Sequence, residues 1–494
     1  MKLALAAGVV AALVAAAPAG AFTPTNPYYA NQWYLAQDHA FDAWATPPTN
    51  LAPVKVAIVD SGVDCSLPDL QGRLLAGRSF VGGDWCTDTE GHGTVVAGEI
   101  AGNLGTNGIV GIAYTAQLLI AKVVRADGTI PLQAEADAIR WAADQGARVI
   151  NLSLGGVRDP KDPTRDTFSP LEASAVAYAY GKGAVLVAAV GNSDEAYATP
   201  WPWASYPAAL PHVIGVGALN KTGGIPDFSD RDTIYNDLVA PGVDIFSTFP
   251  VALTAQQTGC TPQGYTPCGT DEYRHSEGTS FAAPQVAAAA AVLLAVDPGL
   301  TNSQVGNILE RSADDVNATN GCHQCPLGRD PYSGWGRLDV AKAVEVVTSG
   351  GPLPPPDAYE TDDNAGTAAY TLWGQTRTVK ASLDYWDDPI DVFRIQLQKG
   401  QQLRAKLSGA WSGANVSLTM WRPGTTDVLV SAKAAKGLRV AASVSPGSEQ
   451  LIRFRSQTAG WFYVEVRVTS PGAGAYQLTL EKTSPPPKPP TTRR

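Results

Sequence analysis

Val56-Ala-Ile-Val-Asp60-Ser-Gly-Val-Asp64 is the stretch that decides the fold of this chain. An unbroken apolar run, partly β-branched and closed by an aspartate and a glycine, suits a strand buried on both faces, as in parallel sheets. Similar runs occupy 54–59, 118–124, 148–154, 184–190 and 213–219. Between them, 132–145 and 171–181 carry helical spacing, as in Leu132, Ala136, Ile139 and Ala143. This alternation predicts an α/β domain with a doubly wound, mainly parallel sheet and functional groups at the carboxyl ends of its strands. Asp60, Ser153 and Asn192 each sit at or just past such an end.

Two more glycine-flanked runs follow: Gly91-His92-Gly93-Thr94 and Glu277-Gly-Thr-Ser280-Phe-Ala-Ala-Pro284. With Asp60 they supply a carboxylate, an imidazole and a hydroxyl, the set that turns a weak alcohol into a nucleophile. Asp64 and Asp69 compete with Asp60, but only Asp60 directly ends a buried strand, as a shielded orienting carboxylate should. His39, His212, His275 and His323 read as solvated or structural. Ser280 is expected to open the alanine-rich helix that follows, whose positive end would face a developing oxyanion.

These runs, with Val149-Ile-Asn-Leu-Ser153-Leu-Gly-Gly156, Ala188-Ala-Val-Gly191-Asn192, Ser205-Tyr-Pro-Ala208 and Val239-Ala-Pro-Gly242, resemble the subtilisin-like serine endopeptidases, the subtilase family. The order acid, base, nucleophile is the one that family uses. The resemblance implies that Ser280 attacks the scissile carbonyl, His92 moves the proton and Asp60 orients His92. It implies an oxyanion hole from the Asn192 side chain and the Ser280 N–H. It further implies two edges, Gly128-Thr129-Ile130 and Ser153-Leu154-Gly155, between which an extended peptide adds as a strand. Residues 153–155 and 188–191 (Ala188, Ala189, Val190 and Gly191) would wall the first pocket, so broad specificity with an apolar residue before the cut is expected. Two alternatives are a dedicated processing protease and a catalytically restrained subtilase scaffold that binds surfaces.

The chain departs from that family in three places. The stretch from Phe22 to Asp60 leaves no room for the usual inhibitory propeptide, Phe281 stands where many relatives carry methionine, and Gly105 replaces an oxygen-bearing side chain in a calcium loop. Asp69 and backbone carbonyls are left as ligands for a structural calcium there. The chemistry itself needs no cofactor.

Met1 to Ala21 reads as a secretory signal peptide, which makes 22–347 the catalytic domain of an extracellular protein. The six cysteines then favour disulfides, and the simplest pairing is Cys65–Cys86, Cys260–Cys268 and Cys322–Cys325. Residues 348–356 form a Gly/Pro-rich linker. Period-two alternation at 391–397, 402–407, 451–455, 461–468 and 476–480 predicts a small antiparallel β-sandwich over 357–482. That part resembles the bacterial pre-peptidase C-terminal domain, and 483–494 is a proline-rich tail expected to be disordered. The formal charge of −10 argues against a nucleic-acid partner. Protein or peptide substrates, no membrane insertion and a monomer are expected.

Overall fold

The computed structural model describes residues 21–483 apart from 49–50, 255–272 and short stretches between 352 and 448. The signal-peptide reading, the Cys260–Cys268 pair and the tail lie outside the described residues. The apolar runs become strands β1 (Lys55–Asp60), β2 (Leu74–Ser79), β3 (Gln117–Lys122), β4 (Val149–Leu152), β5 (Val185–Ala189), β6 (Val213–Leu219) and β7 (Leu238–Pro241). They form one sheet in the order β2-β3-β1-β4-β5-β6-β7, every neighbouring pair parallel. The strand order reverses at β1 and β4, and a doubly wound sheet opens its ligand crevice at such a point.

Alternate residues face opposite layers. Val56 and Ile58 of β1, with Val187 and Ala189 of β5, join the core beneath the helices His92–Ala101 and Ala283–Val296. Ala57 and Val59, with Leu186, Ala188 and Val190, join the core beneath the helices Leu132–Asp144 and Pro170–Gly181. Ser280 does not open the long helix as expected. It sits in a one-turn 3₁₀ segment, Thr279–Phe281, and the α-helix begins at Ala283 with Pro284 in its first turn, where a missing N–H costs nothing. Among the described residues, Thr279–Val296 is the one helical stretch apolar enough and long enough to cross a membrane, and 89% of it is buried in the protein.

The C-terminal region folds as two facing sheets. One carries five strands, Tyr370–Leu372, Ile390–Leu397, Gly460–Val468, Val416–Trp421 and Arg439–Ser443, and the other carries Thr376–Asp384, Ala473–Lys482, Gln402–Ser412 and Glu449–Arg455. All pairings are antiparallel except that of Tyr370–Leu372 with Ile390–Leu397. Phe393, Leu407, Leu418, Val464 and Leu478 fill the space between the sheets. Disulfides close Cys65 to Cys86 and Cys322 to Cys325.

Candidate active site

Asp60 ends β1 and is 2% exposed. His92 begins its helix next to Gly91, whose φ of +92° and lack of a Cβ let Phe249 pack against the turn. The two meet: His92 Nδ1 lies 2.9 Å from Asp60 Oδ1 and 3.0 Å from Oδ2, and Ser61 N–H donates to Oδ1 at 2.7 Å. Burial pulls the His92 pKa down, but the Asp60 carboxylate, with Asp88 and Glu90 farther out, more than offsets this and raises it above 6.5. Ser280 lines the same cleft of about 640 Å³ as Asp60, His92 and Asn192. Its hydroxyl donates to the Ser153 carbonyl at 3.2 Å rather than to His92, and the Ser153 hydroxyl donates back to the Ser280 carbonyl at 2.7 Å. Catalytic hydrogen bonds are often loose before substrate arrives.

Asn192 Oδ1 accepts from the Thr279 N–H at 3.0 Å and the Thr279 hydroxyl at 3.1 Å. Two donors on one atom settle which end of the amide is oxygen. The NH₂ end is left as a donor beside Gly278, where φ is +145° and a β-carbon would come within 3.5 Å of it.

Gly128, Ile130, Ser153, Leu154, Gly155 and Gly191 also line the cleft. The side chains of Thr129, Ala188 and Val190 do not, which leaves the backbone edge expected at Thr129 untouched. Thr129 is turned to Asp127, its hydroxyl donating at 2.6 Å. Ala188 and Val190 are fully buried in the helix-covered core, because the strand period that points Ala189 at the cleft points its neighbours away. Of the expected apolar walls, Leu154 and Ala189 do line the cleft, and the turn after Asn192 adds Asp194 and Glu195. Glu195 lines the cleft, and burial, with Asp194 beside it, raises its carboxyl above the ordinary value while His92 draws it down.

The sequence reading missed Asp88. This carboxylate, 5% exposed, accepts from the Ser61 hydroxyl, from the N–H groups of Glu90, Gly91 and Thr94, and from the Thr94 hydroxyl. It holds the chain where His92 enters the helix. An aspartate a few residues ahead of a helix start is the signal that could have found it. Asp230 was missed too. It is 1% exposed, and burial pushes its carboxyl up to about 8 although the Ser193 hydroxyl lowers it.

The residues of the calcium loop do not fit a calcium ion as they are folded. The carbonyl oxygens of Asn103, Asn107 and Ile109 converge like a cation's ligands, but on Asn26 Nδ2, at 2.9, 2.6 and 2.8 Å. Asn26 Oδ1 accepts the Gly105 N–H. Asp69 gives Oδ1 to the Ile109 N–H and Oδ2 to the Tyr273 hydroxyl, both at 2.8 Å. A second group, His39, Asp314 and Asp339, is no better: Arg337 and Lys342 already occupy Asp314.

A nucleophile turn, an imidazole and a shielded carboxylate in one groove at the strand reversal define a serine hydrolase, and the comparisons name its class. The profile described as the subtilase family matches residues 52–336, so the chain belongs to that family and is a serine endopeptidase. It is 34% identical over 327 residues to the thermophilic serine proteinase of Bacillus sp. (strain AK1), covering 66% of this chain and 70% of that protein. It is also 34% identical to thermitase of Thermoactinomyces vulgaris, covering 66% of this chain and 100% of thermitase. Among solved structures, one of proteases from Pseudoalteromonas arctica PAMC 21717 superposes with a TM-score of 0.53 at 25% identity, over 66% of this chain and 100% of that one.

Proposed function

We propose that Ser280, His92 and Asp60 form the catalytic triad of a secreted, monomeric endopeptidase that cuts protein through an acyl-enzyme. The observation that carries this is the paired contact of both Asp60 oxygens with His92 Nδ1, 2.9 and 3.0 Å, in the groove Ser280 lines. That contact keeps the proton on Nδ1 and leaves Nε2 free to accept one. Nε2 takes the Ser280 hydroxyl proton as Oγ attacks the carbonyl, then returns it to the leaving amine as the C–N bond breaks. Water repeats the cycle on the ester. The Asn192 NH₂ and Ser280 N–H receive the oxyanion, helped by the positive end of the Ala283–Val296 helix.

Backbone pairing of substrate with 128–130 and 153–155 supports broad sequence tolerance. Phe22 packs on Phe41 at 4.9 Å between ring centres, which supports starting the catalytic domain at 22. The two-sheet architecture supports reading 357–482 as a pre-peptidase C-terminal-type module joined by the 348–356 linker. No cofactor enters the chemistry, and Asn26 stands in for a cation in the 102–109 loop. The test is a serine-directed phosphonate inhibitor with casein hydrolysis as readout. Labelling of Ser280 with loss of hydrolysis is expected, and a folded Ser280→Ala should be inert. Hydrolysis that survives in Ser280→Ala would place the nucleophile elsewhere.

A further inference from the structure

The helix that begins at His92 carries Glu99, and the helix after Ser280 carries Gln285. Both residues are 0% exposed. Gln285 Nε2 lies 3.1 Å from Glu99 Oε2, 2.8 Å from the Pro241 carbonyl and 2.7 Å from the Phe281 carbonyl. These acceptors belong to three pieces of the site: the His92 helix, the end of β7 and the turn that holds Ser280. The Gln285 backbone N–H goes to the Ala282 carbonyl at 3.2 Å, so the Phe281 carbonyl receives the side-chain amide instead. The chain just past β7 is tied to the same turn, because the Gly278 N–H donates to the Gly242 carbonyl at 2.8 Å.

Two oxygens in this cluster, Glu99 Oε1 and Gln285 Oε1, are buried and receive no hydrogen bond. Buried acceptors left open cost free energy, and one proton answers both. A protonated Glu99 Oε1 would donate to Gln285 Oε1 while Glu99 Oε2 accepts from Gln285 Nε2, the paired bonds of an acid facing an amide. The surroundings favour that proton. Burial, with Asp38 nearby, pushes the Glu99 carboxyl well above the ordinary range, and the Gln285 N–H pulls it back only in part. The other titratable groups around it are Tyr34 and Asp38, with Arg337 and Asp339 acting on Asp38. None of the charges that act on Glu99 itself is a cation. An aliphatic pair would fill this space without the cost of burying an acid and an amide. What the polar pair adds is direction, since a satisfied buried network fixes one arrangement where apolar packing tolerates slip.

We propose that Glu99 and Gln285 form a neutral acid–amide pair that locks the His92 helix to the Ser280 turn, which makes both of them positioning residues for the triad. The proposal rests on Ser280 and His92 being the catalytic pair. It gives a reason why an imidazole and a hydroxyl carried by separate segments keep one spacing while a proton passes between them.

The experiment compares Glu99→Leu, Gln285→Leu, the double variant and Glu99→Gln in the full chain. It measures kcat and KM for a peptide substrate per site titrated with the serine-directed phosphonate. Each single leucine should lower kcat about 10–100-fold, the scale of a small misplacement of reacting groups, with KM nearly unchanged. The double variant should be no slower than either single, because the two residues act as one unit. Glu99→Gln makes the same two bonds with an amide in place of the acid and should recover most of kcat. Infrared difference spectra of wild type against Glu99→Gln should show the carbonyl stretch of a neutral carboxylic acid in wild type alone. A purely structural pair would lower the Tm and leave kcat per titrated site unaltered, and that result overturns the proposal. So does an ionised Glu99, or a Glu99→Gln no faster than Glu99→Leu. If neither leucine variant folds, Gln285→Asn, which draws the amide back by one methylene, takes their place with the same readout. Labelling separates the two levels: labelled, active wild type whose variants keep kcat refutes only the pair, whereas unlabelled, inert wild type refutes the nucleophile and the pair together.

Discussion

Asp60 and Asp230 are both buried aspartates, but Asp60 lines the cleft whereas Asp230 packs behind Gly191, and their neighbours give them different work. Asp60 has the Ser61 N–H on one oxygen and His92 against both, and Asp88 beside it gathers five further donors onto the same stretch of chain. Asp230 has the Ser193 hydroxyl on Oδ1, the Ser205 hydroxyl as a further side-chain partner, and two carboxylates as its charged neighbours. A carboxylate wrapped in donors is a positioning device, because each donor removes a way for it to move. A carboxyl buried with few donors holds its proton instead, so its weight falls on stability and its pH dependence.

The largest effect should come from breaking the first of the pair. Asp60→Asn keeps the shape but offers an N–H where His92 needs an acceptor, so the imidazole takes the wrong tautomer; kcat should fall about 10⁴-fold. A loss below ten-fold in steady-state peptide hydrolysis would remove Asp60 from the orienting role. Next comes the donor on the opposite wall. Asn192→Ala should cost about 2.7–4 kcal/mol of transition-state stabilisation, seen in kcat with KM nearly unchanged. A change confined to KM would make Asn192 a binding residue instead.

Asp88→Ala strands several buried donors and should cost about 2–3 kcal/mol of stability by urea unfolding, with a smaller fall in kcat. If stability is unaltered, the helix entry is held by something else.

Asp230 then supplies a signature in pH. Its carboxyl holds its proton to about 8 in the folded chain against 3.8 when unperturbed. Across that window the unfolded chain binds fewer protons, so stability falls as pH rises, by up to about 1.4 kcal/mol per pH unit from this group. Asp38 and Glu99, both raised by burial, push the same way. Asp230→Asn should flatten the slope by that amount in urea titrations at several pH values. An unchanged slope would mean that Asp230 is ionised throughout.

What could be read in advance divides along the same line. Asp60, His92 and Ser280 each sit beside glycine at the end of a buried strand or ahead of an apolar helix, so local pattern marks them. Asp230 carries no such mark, since only the packing of its loop against Gly191 and Ser205 gives it a role. The central strands were legible as apolar runs, while β2 was not, because it lies at the sheet edge and no residue of it is fully buried. In the sandwich, Val416–Trp421 alternates Val416, Leu418 and Met420 with Ser417 and Thr419, so its period-two signal was present although the segment was passed over. Ala188 and Val190 point away from the cleft because the strand period alternates faces, so a wall assigned to a whole segment falls on every second side chain.

The calcium loop extends the comparison to a site where donors have replaced a ligand. Three carbonyls that could share a cation instead share the Asn26 amide, and Asp69 is saturated by an N–H and a hydroxyl. An amide NH₂ has two hydrogens for three acceptors, so the arrangement is weaker than a divalent ion would be, yet it needs no metal. A resident cation at 100 times its Kd would add about 2.7 kcal/mol, or about 5–10 °C in a domain of this size. Excess EDTA should therefore move the Tm by less than about 1 °C, and calcium added back should do nothing, because the ion would first have to expel Asn26 from the centre of its own ligands. Asn26→Ala is the sharper arm. It empties that centre, should lower the Tm without metal, and should make the protein calcium-responsive if the carbonyls stay in place. A wild-type enzyme that loses 5 °C or more in EDTA would show that calcium displaces the amide and that Asp69 turns to meet it.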